Sequence, residues 1–153
     1  MQPTITFIIP IQKRENLLIE EINTIFKFSE QYPGFCEIII VGNGKQDTLI
    51  KIAWVALKLN KITHPHVRTK IIKYTTNQNI DLLIQTGINH ALGEKIVIVT
   101  SNPEKINPSQ IEKFNIFKKE IMIEKLFTDK TTMLKEFSTE ISKNLSPFTR
   151  HNI

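Results

Sequence analysis

Apolar residues recur along the chain in two alternating rhythms. Thr4 to Ile11 (TITFIIPI) is a continuous β-branched run, as expected of a strand buried on both faces. Leu18, Ile22, Ile25 and Phe26 then recur at helical spacing. Asn16 is placed to cap that helix, and Glu15, Glu20 and Glu21 lie early in it, where its dipole favours acid. Tyr32-Pro33-Gly34 breaks the pattern. Cys36 to Val41 (CEIIIV) is a second strand, followed by the tight loop Gly42-Asn43-Gly44.

Asp47 or Thr48 caps a second helix. Its apolar residues Leu49, Ile50, Ile52, Trp54, Val55, Leu57 and Leu59 lie nearly all round, which predicts a well-buried helix with Trp54 in the core. His64-Pro65-His66 ends it. Val67 to Tyr74 reads as a third strand and Asn77 to Asn79 as a polar loop. A third helix carries Ile80, Leu83, Ile84, Ile88 and Ala91 on one face, with Gly93 as its stop. Lys95 to Val99 (KIVIV) is a fourth strand, ended by Thr100-Ser101-Asn102-Pro103. Asn107-Pro108-Ser109-Gln110 starts a further helix, continued by Ile111, Phe114, Phe117 and Ile121. Leu134, Phe137, Ile141 and Leu145 suggest another amphipathic helix.

Strands separated by helices predict a three-layer α/β/α domain with a mostly parallel sheet of at least four strands. Residues 1–153 read as one domain, with an α/β part over 1–106 and a helical C-terminal segment over 107–153. Ligands in such sheets bind beyond the carboxyl ends of the strands. The loops of interest are therefore Pro10 to Glu15, Gly42 to Asp47, Thr75 to Asn79 and Thr100 to Glu104.

Composition adds limits. With 153 residues a domain buries about two thirds of its unfolded surface and needs no disulfide to fold. Cys36, the single cysteine, allows no intrachain disulfide and fits a reducing, cytoplasmic setting. It reads as a small hydrophobe rather than a nucleophile. No apolar run approaches the ~20 residues of a membrane span, and the stretch before Pro10 lacks the form of a signal peptide. The net charge of +5 is compatible with anionic partners. Lysines alternate with glutamates along most segments, however, which reads as a solvated surface; without aromatic and basic interleaving, nucleic acid is not the expected partner. The loop Gly42-Asn43-Gly44-Lys45 lacks the third glycine of a dinucleotide fingerprint and the Ser or Thr of a P-loop. His64 and His66 read as turn residues, and His90 as a surface or half-buried helix residue.

Four features occur in one order: IIP after strand one, VGNGKQD after strand two, N-x-N after strand three, and TGINHALGEKIVIVTSNPE through strand four. Over residues 4 to 112 this resembles the family 2 glycosyltransferases of the GT-A fold, the group that includes dolichyl-phosphate-mannose synthases. That family reads I-I-P-x-x-N-E, V-D-D-G-S-x-D, N-x-G and G-x-x-x-A-x-G-x-x-I-x-x-x-D-x-D. Pro10, Gly44, Asp47, Asn77, Gly87, Ala91 and Gly93 match it. The matches imply structural roles: a turn at Gly44, a helix cap at Asp47, close packing at Gly87.

The resemblance further implies a nucleotide-sugar site at Pro10, Gln12, Glu15, Gly42, Asn43, Gly44, Asn77, Thr100, Ser101 and Asn102. The departures fall on its chemistry. Gly42 and Asn43 stand where the family has two aspartates, Thr100-Ser101-Asn102 where it has D-x-D, and Gln12 where an aromatic residue is common. Those acids hold the donor and a divalent metal in the family. Magnesium and manganese prefer carboxylate oxygens, and only Asn102 and Glu104 remain as metal candidates; either ion is a cofactor here only if the altered motif still binds metal. Family members also continue well beyond this span, into the acceptor site and the base.

The expectation is a degenerate nucleotide-sugar-binding domain, a pseudoenzyme without metal-dependent transfer. One alternative is an interaction module that self-associates or docks to an active glycosyltransferase through its C-terminal helices. Another is a metal-independent glycosyltransferase, moving a hexosyl group with Lys13, Arg14, Lys45 or Lys73 in the metal's place.

Overall fold

A computed structural model describes residues 2–11, 17–44 and 47–125. The elements follow the order β1 (Ile5–Ile11), α1 (Leu18–Gln31), β2 (Cys36–Gly42), α2 (Asp47–Thr63), β3 (Arg68–Lys73), α3 (Ile80–His90), β4 (Lys95–Val99), α4 (Pro108–Phe114) and β5 (Glu120–Glu124), with a 3-10 turn at Pro103–Lys105 before α4. Among the described residues the strands form one sheet in the order β3-β2-β1-β4-β5, and every pair is parallel. The α/β class and parallel sheet expected from the β-branched runs are present.

Strand alternation sorts the core into two layers. Ile5, Phe7, Ile9, Ile11, Ile38 and Ile40 face α1 and α2. Ile8, Ile39, Val41, Ile96 and Ile98 face α3 and α4. Gly87 of α3 sits against β1, where a Cβ would come within 2.6 Å of Ile8 Cγ2, so the close packing expected there is real.

The flanking helices change from one face of the sheet to the other between β1 and β4. Ile11 O points to β2 and accepts from Asn43 N at 3.0 Å. Pro10, one residue back, therefore presents its backbone to β4, but pairing with β4 stops at Ile8↔Ile98. Proline, which has no N–H to offer a ladder, stands where that pairing has ended.

Three expectations change. α2 is buried along one side only, through Leu49, Ala53, Ala56 and Leu57; Trp54, Val55, Leu59 and Ile62 are exposed. Apolar residues all round a helix predict burial on average, yet the sheet covers only one side of this one. Second, α4 ends at Phe114, and Glu120–Glu124 is a strand rather than more helix. The buried amide of Asn115 makes the break: Nδ2 donates to Lys119 O (2.7 Å) and Oδ1 accepts from Lys119 N (2.8 Å). Lys118 takes φ 56° in the left-handed region, turning the chain into β5. Third, α3 stops at His90 with Ala91 extended, so Gly93 is no helix stop. It passes against β1, where a Cβ would lie 2.7 Å from Ile5 C and Thr6 N. The expected cap Asn16, and the helix through Leu134, Phe137, Ile141 and Leu145, lie outside the described residues.

Candidate functional site at the carboxyl edge of the sheet

Because the strands are parallel, their carboxyl ends share one edge, and of the predicted site residues Pro10, Gly42, Asn43, Gly44, Asn77, Thr100, Ser101 and Asn102 lie in or after those strand ends. Asn43 is the best-defined of them. It is buried, and its amide spans two loops: Nδ2 donates to Gln78 O at 2.7 Å, while Oδ1 accepts from Gln78 N and, at 3.0 Å, from Gly44 N. Gly44 adds a backbone contact between the same loops, since a Cβ would meet Thr76 C at 2.6 Å and Thr75 O at 2.8 Å. Gly44 is thus required for close approach, not for a left-handed turn, as no described glycine has positive φ.

Gly42 ends β2 facing α2. Its missing side chain leaves space that Ile50 fills, with Ile50 Cδ1 at 2.1 Å from where a Cβ would be. Asp47 opens α2 and pairs with Lys73 at the end of β3; the Lys73 ammonium holds the Asp47 carboxyl below its usual range. Asn77 is exposed, and the backbone of its neighbour Gln78, not its own side chain, makes the loop contact. Asn79 caps α3, accepting from Leu82 N at 2.9 Å. Gln12 and Glu15 lie outside the described residues, as do Lys13, Arg14 and Lys45.

After β4, Thr100 is buried and its N–H donates to Glu124 O at 3.0 Å, tying the loop to β5. Thr100 Oγ1 accepts from Asn102 N at 3.2 Å, and Asn102 Nδ2 donates to Ser101 Oγ at 3.3 Å. Glu104 is exposed in the 3-10 turn. Among the described residues, no three His, Cys, Asp or Glu side chains group where they would hold a metal ion.

The opposite edge holds a cavity of about 270 Å³ between the ends of α1 and α2, lined by Glu30, Phe35, Cys36, His64 and His66 among others. His64 has an acidic partner that the sequence did not suggest, for Glu30 is thirty-four positions away: Nε2 lies 2.7 Å from Glu30 Oε1, and that bond raises the imidazole pKa. Burial pushes the Cys36 thiol up to about 12, in keeping with a small hydrophobe. His90 is exposed.

Sequence reasoning also missed Glu37, fully buried in β2. Its Oε1 accepts from Thr6 Oγ1 (2.7 Å) and Leu92 N (2.8 Å), and its Oε2 lies 3.3 Å from Arg68 Nε without hydrogen-bond geometry. A charged residue inside the run CEIIIV was the available signal.

No protein-family model matches the chain, and none of the curated proteins matches it. Among solved structures it is similar to the mannosyltransferase PcManGT from Pyrobaculum calidifontis in complex with GDP-Man and Mn2+, at 21% identity and a TM-score of 0.45. The match covers 61% of this chain and 26% of that one, so it spans about a quarter of the mannosyltransferase chain. No described helix is long and apolar enough to cross a membrane.

Proposed function

We propose that the chain is a glycosyltransferase family 2-like domain that keeps the α/β framework for a nucleotide-sugar and does not perform metal-dependent sugar transfer. The observation carrying this reading is the use made of residues 42 and 43. The place of one family aspartate is filled by Ile50 packing over Gly42, and the place of the next holds an amide committed to the Gln78 backbone. An aspartate at 43 would set a carboxylate oxygen against the Gln78 carbonyl. In this reading position 42 serves packing against α2 and position 43 joins two loops. At the β4 loop the Thr100 and Ser101 hydroxyls accept from the backbone N–H and side-chain Nδ2 of Asn102, and Glu104 supplies the one nearby carboxylate of the loop, a donor set poor in the carboxylates a hard divalent cation prefers.

The ligand this edge would take is a nucleotide-sugar, held by backbone groups and neutral side chains. A thermal-shift panel of UDP-, GDP- and CDP-sugars with and without manganese tests the reading, since a ligand that binds the folded state raises its melting temperature. The expected result is stabilisation by at least one nucleotide-sugar, indifferent to manganese. Divalent-dependent transfer or hydrolysis of any nucleotide-sugar overturns the proposal. Turnover in EDTA would instead favour the metal-independent transferase, although Lys73, one of its candidate cations, is paired with Asp47. A null panel would favour the interaction-module reading.

A further inference from the structure

The formal charge of the chain is concentrated in one stretch. From Asp47 to Lys73 the cations are Lys51, Lys58, Lys61, Arg68, Lys70 and Lys73, and Asp47 is the single acid. That stretch carries a net +5, equal to the charge of the whole chain, so the rest balances to zero. In the fold it is α2 and the edge strand β3. Arg68 pairs with Glu37 and Lys73 with Asp47. Among the described residues no salt bridge within 4.0 Å engages Lys51, Lys58, Lys61 or Lys70, although Lys51 also acts on Asp47 at longer range.

The same surface holds the exposed apolar residues of α2. Trp54 is 51% exposed, Val55 49%, Leu59 62% and Ile62 75%. Seven-residue spacing makes three adjoining rows on the outer side of the helix: Lys51 with Lys58 in the middle, Trp54 with Lys61 on one flank, Val55 with Ile62 on the other. Lys58 Nζ lies 4.0 Å from the Trp54 ring centroid. Beyond Val55 the apolar surface continues into a groove of about 390 Å³ between α1 and α2, lined by Ile19, Ile52 and Leu59.

We infer that the outer face of α2 docks on an anionic lipid bilayer, with Trp54, Val55, Leu59 and Ile62 entering the interface and the lysines among the headgroups. Charge complementarity selects the occupant. A second copy on this face would set its lysines against the same lysines, because a two-fold interface is self-complementary. The phosphates of nucleic acid would suit the lysines but leave Leu59 and Ile62 in water. An anionic bilayer satisfies both, removing apolar side chains from water while attracting the cations. Lys70 and Arg68 also guard the β3 edge against strand pairing, as edge lysines do, but those of α2 have no edge to guard.

Trp54 is the only tryptophan in the chain and reports on this face directly. The experiment is co-sedimentation of the full chain with vesicles of phosphatidylcholine alone or mixed with phosphatidylglycerol, with Trp54 emission read in parallel. The expected result is binding to the anionic vesicles only, weakened by salt, with a blue shift and quenching by brominated acyl chains. The double substitution Lys51→Gln, Lys58→Gln should weaken partition roughly tenfold or more. Leu59→Ser with Ile62→Ser should remove the shift and the quenching. These positions are exposed, and an unchanged circular dichroism spectrum confirms that each variant is folded. Absence of vesicle binding overturns the proposal. So does binding that leaves Trp54 emission unchanged or ignores these variants, and so does binding to RNA or duplex DNA without binding to vesicles.

Discussion

The side-chain amide of Asn43 pairs with the backbone of Gln78 at two points, donating to its carbonyl and accepting from its N–H across thirty-five positions of sequence. The pairing fastens the loop after β2 to the loop after β3 and is largely buried. Asn43→Asp keeps the shape and the acceptor but replaces the donor with a second acceptor facing the Gln78 carbonyl. The expected cost is about 1–3 kcal/mol, the range for a buried polar group left without its bond. Urea denaturation of the two proteins measures it; equal midpoints would refute the role given to the amide.

Gly42 and Gly44 lie two residues apart, yet alanine should affect them differently. At Gly42 the new Cβ meets the end of the Ile50 side chain, which can rotate away. At Gly44 it meets the backbone of Thr75 and Thr76, which cannot move without shifting the loop. Gly44→Ala should therefore cost about 1–3 kcal/mol, as overpacking does, and Gly42→Ala clearly less. Melting curves of the two variants give the ranking, and the reverse order would contradict the contact geometry.

Much of the sheet was legible because its evidence is local. The runs ITFIIPI and CEIIIV are too short and too β-branched for buried helices, and alternation with helical spacing implies parallel pairing. The failures were non-local. Periodicity cannot show that the sheet covers only one side of α2, and so it places Trp54 in the core although that side chain is exposed. Nor can it show that Asn115 closes on Lys119 and cuts an apparently continuous helix before β5. At the site, the order of motifs indicated which loops meet. What those residues do there, Asn43 above all, depends on partners distant in sequence.

His64 joins the end of α2 to Glu30 near the end of α1, and the bond to the Glu30 carboxylate raises its pKa above the usual value, with the bond to the Asn60 carbonyl adding to the effect. The sign follows from linkage. A group whose pKa is higher in the folded state contributes stability fully below the unfolded value, ~6.5, and loses it as pH rises through the folded value. The stability gap between the wild-type protein and His64→Gln should thus be widest near about pH 5.5 and shrink in mildly alkaline solution. Denaturation midpoints across that range test it, and a gap that widens with rising pH would reverse the assignment.

Thr6 is the hinge of the buried network at the other end of β1. Its hydroxyl donates to Glu37 Oε1 at 2.7 Å and accepts from Gly93 N at 2.9 Å, while Leu92 N donates to the same carboxylate oxygen. The turn after α3 is thereby held on the sheet through the Thr6 and Glu37 side chains together. Thr6→Val preserves volume but leaves the Gly93 N–H without an acceptor and the Glu37 carboxylate short of a donor. Both groups are buried, and one is charged, so the expected loss is about 2–4 kcal/mol. Thr6→Ser retains both bonds and should lose only the smaller contribution of a methyl group, about 1 kcal/mol. Chemical denaturation of the pair isolates the hydroxyl from the packing. If valine is tolerated as well as serine, the network does not hold the turn.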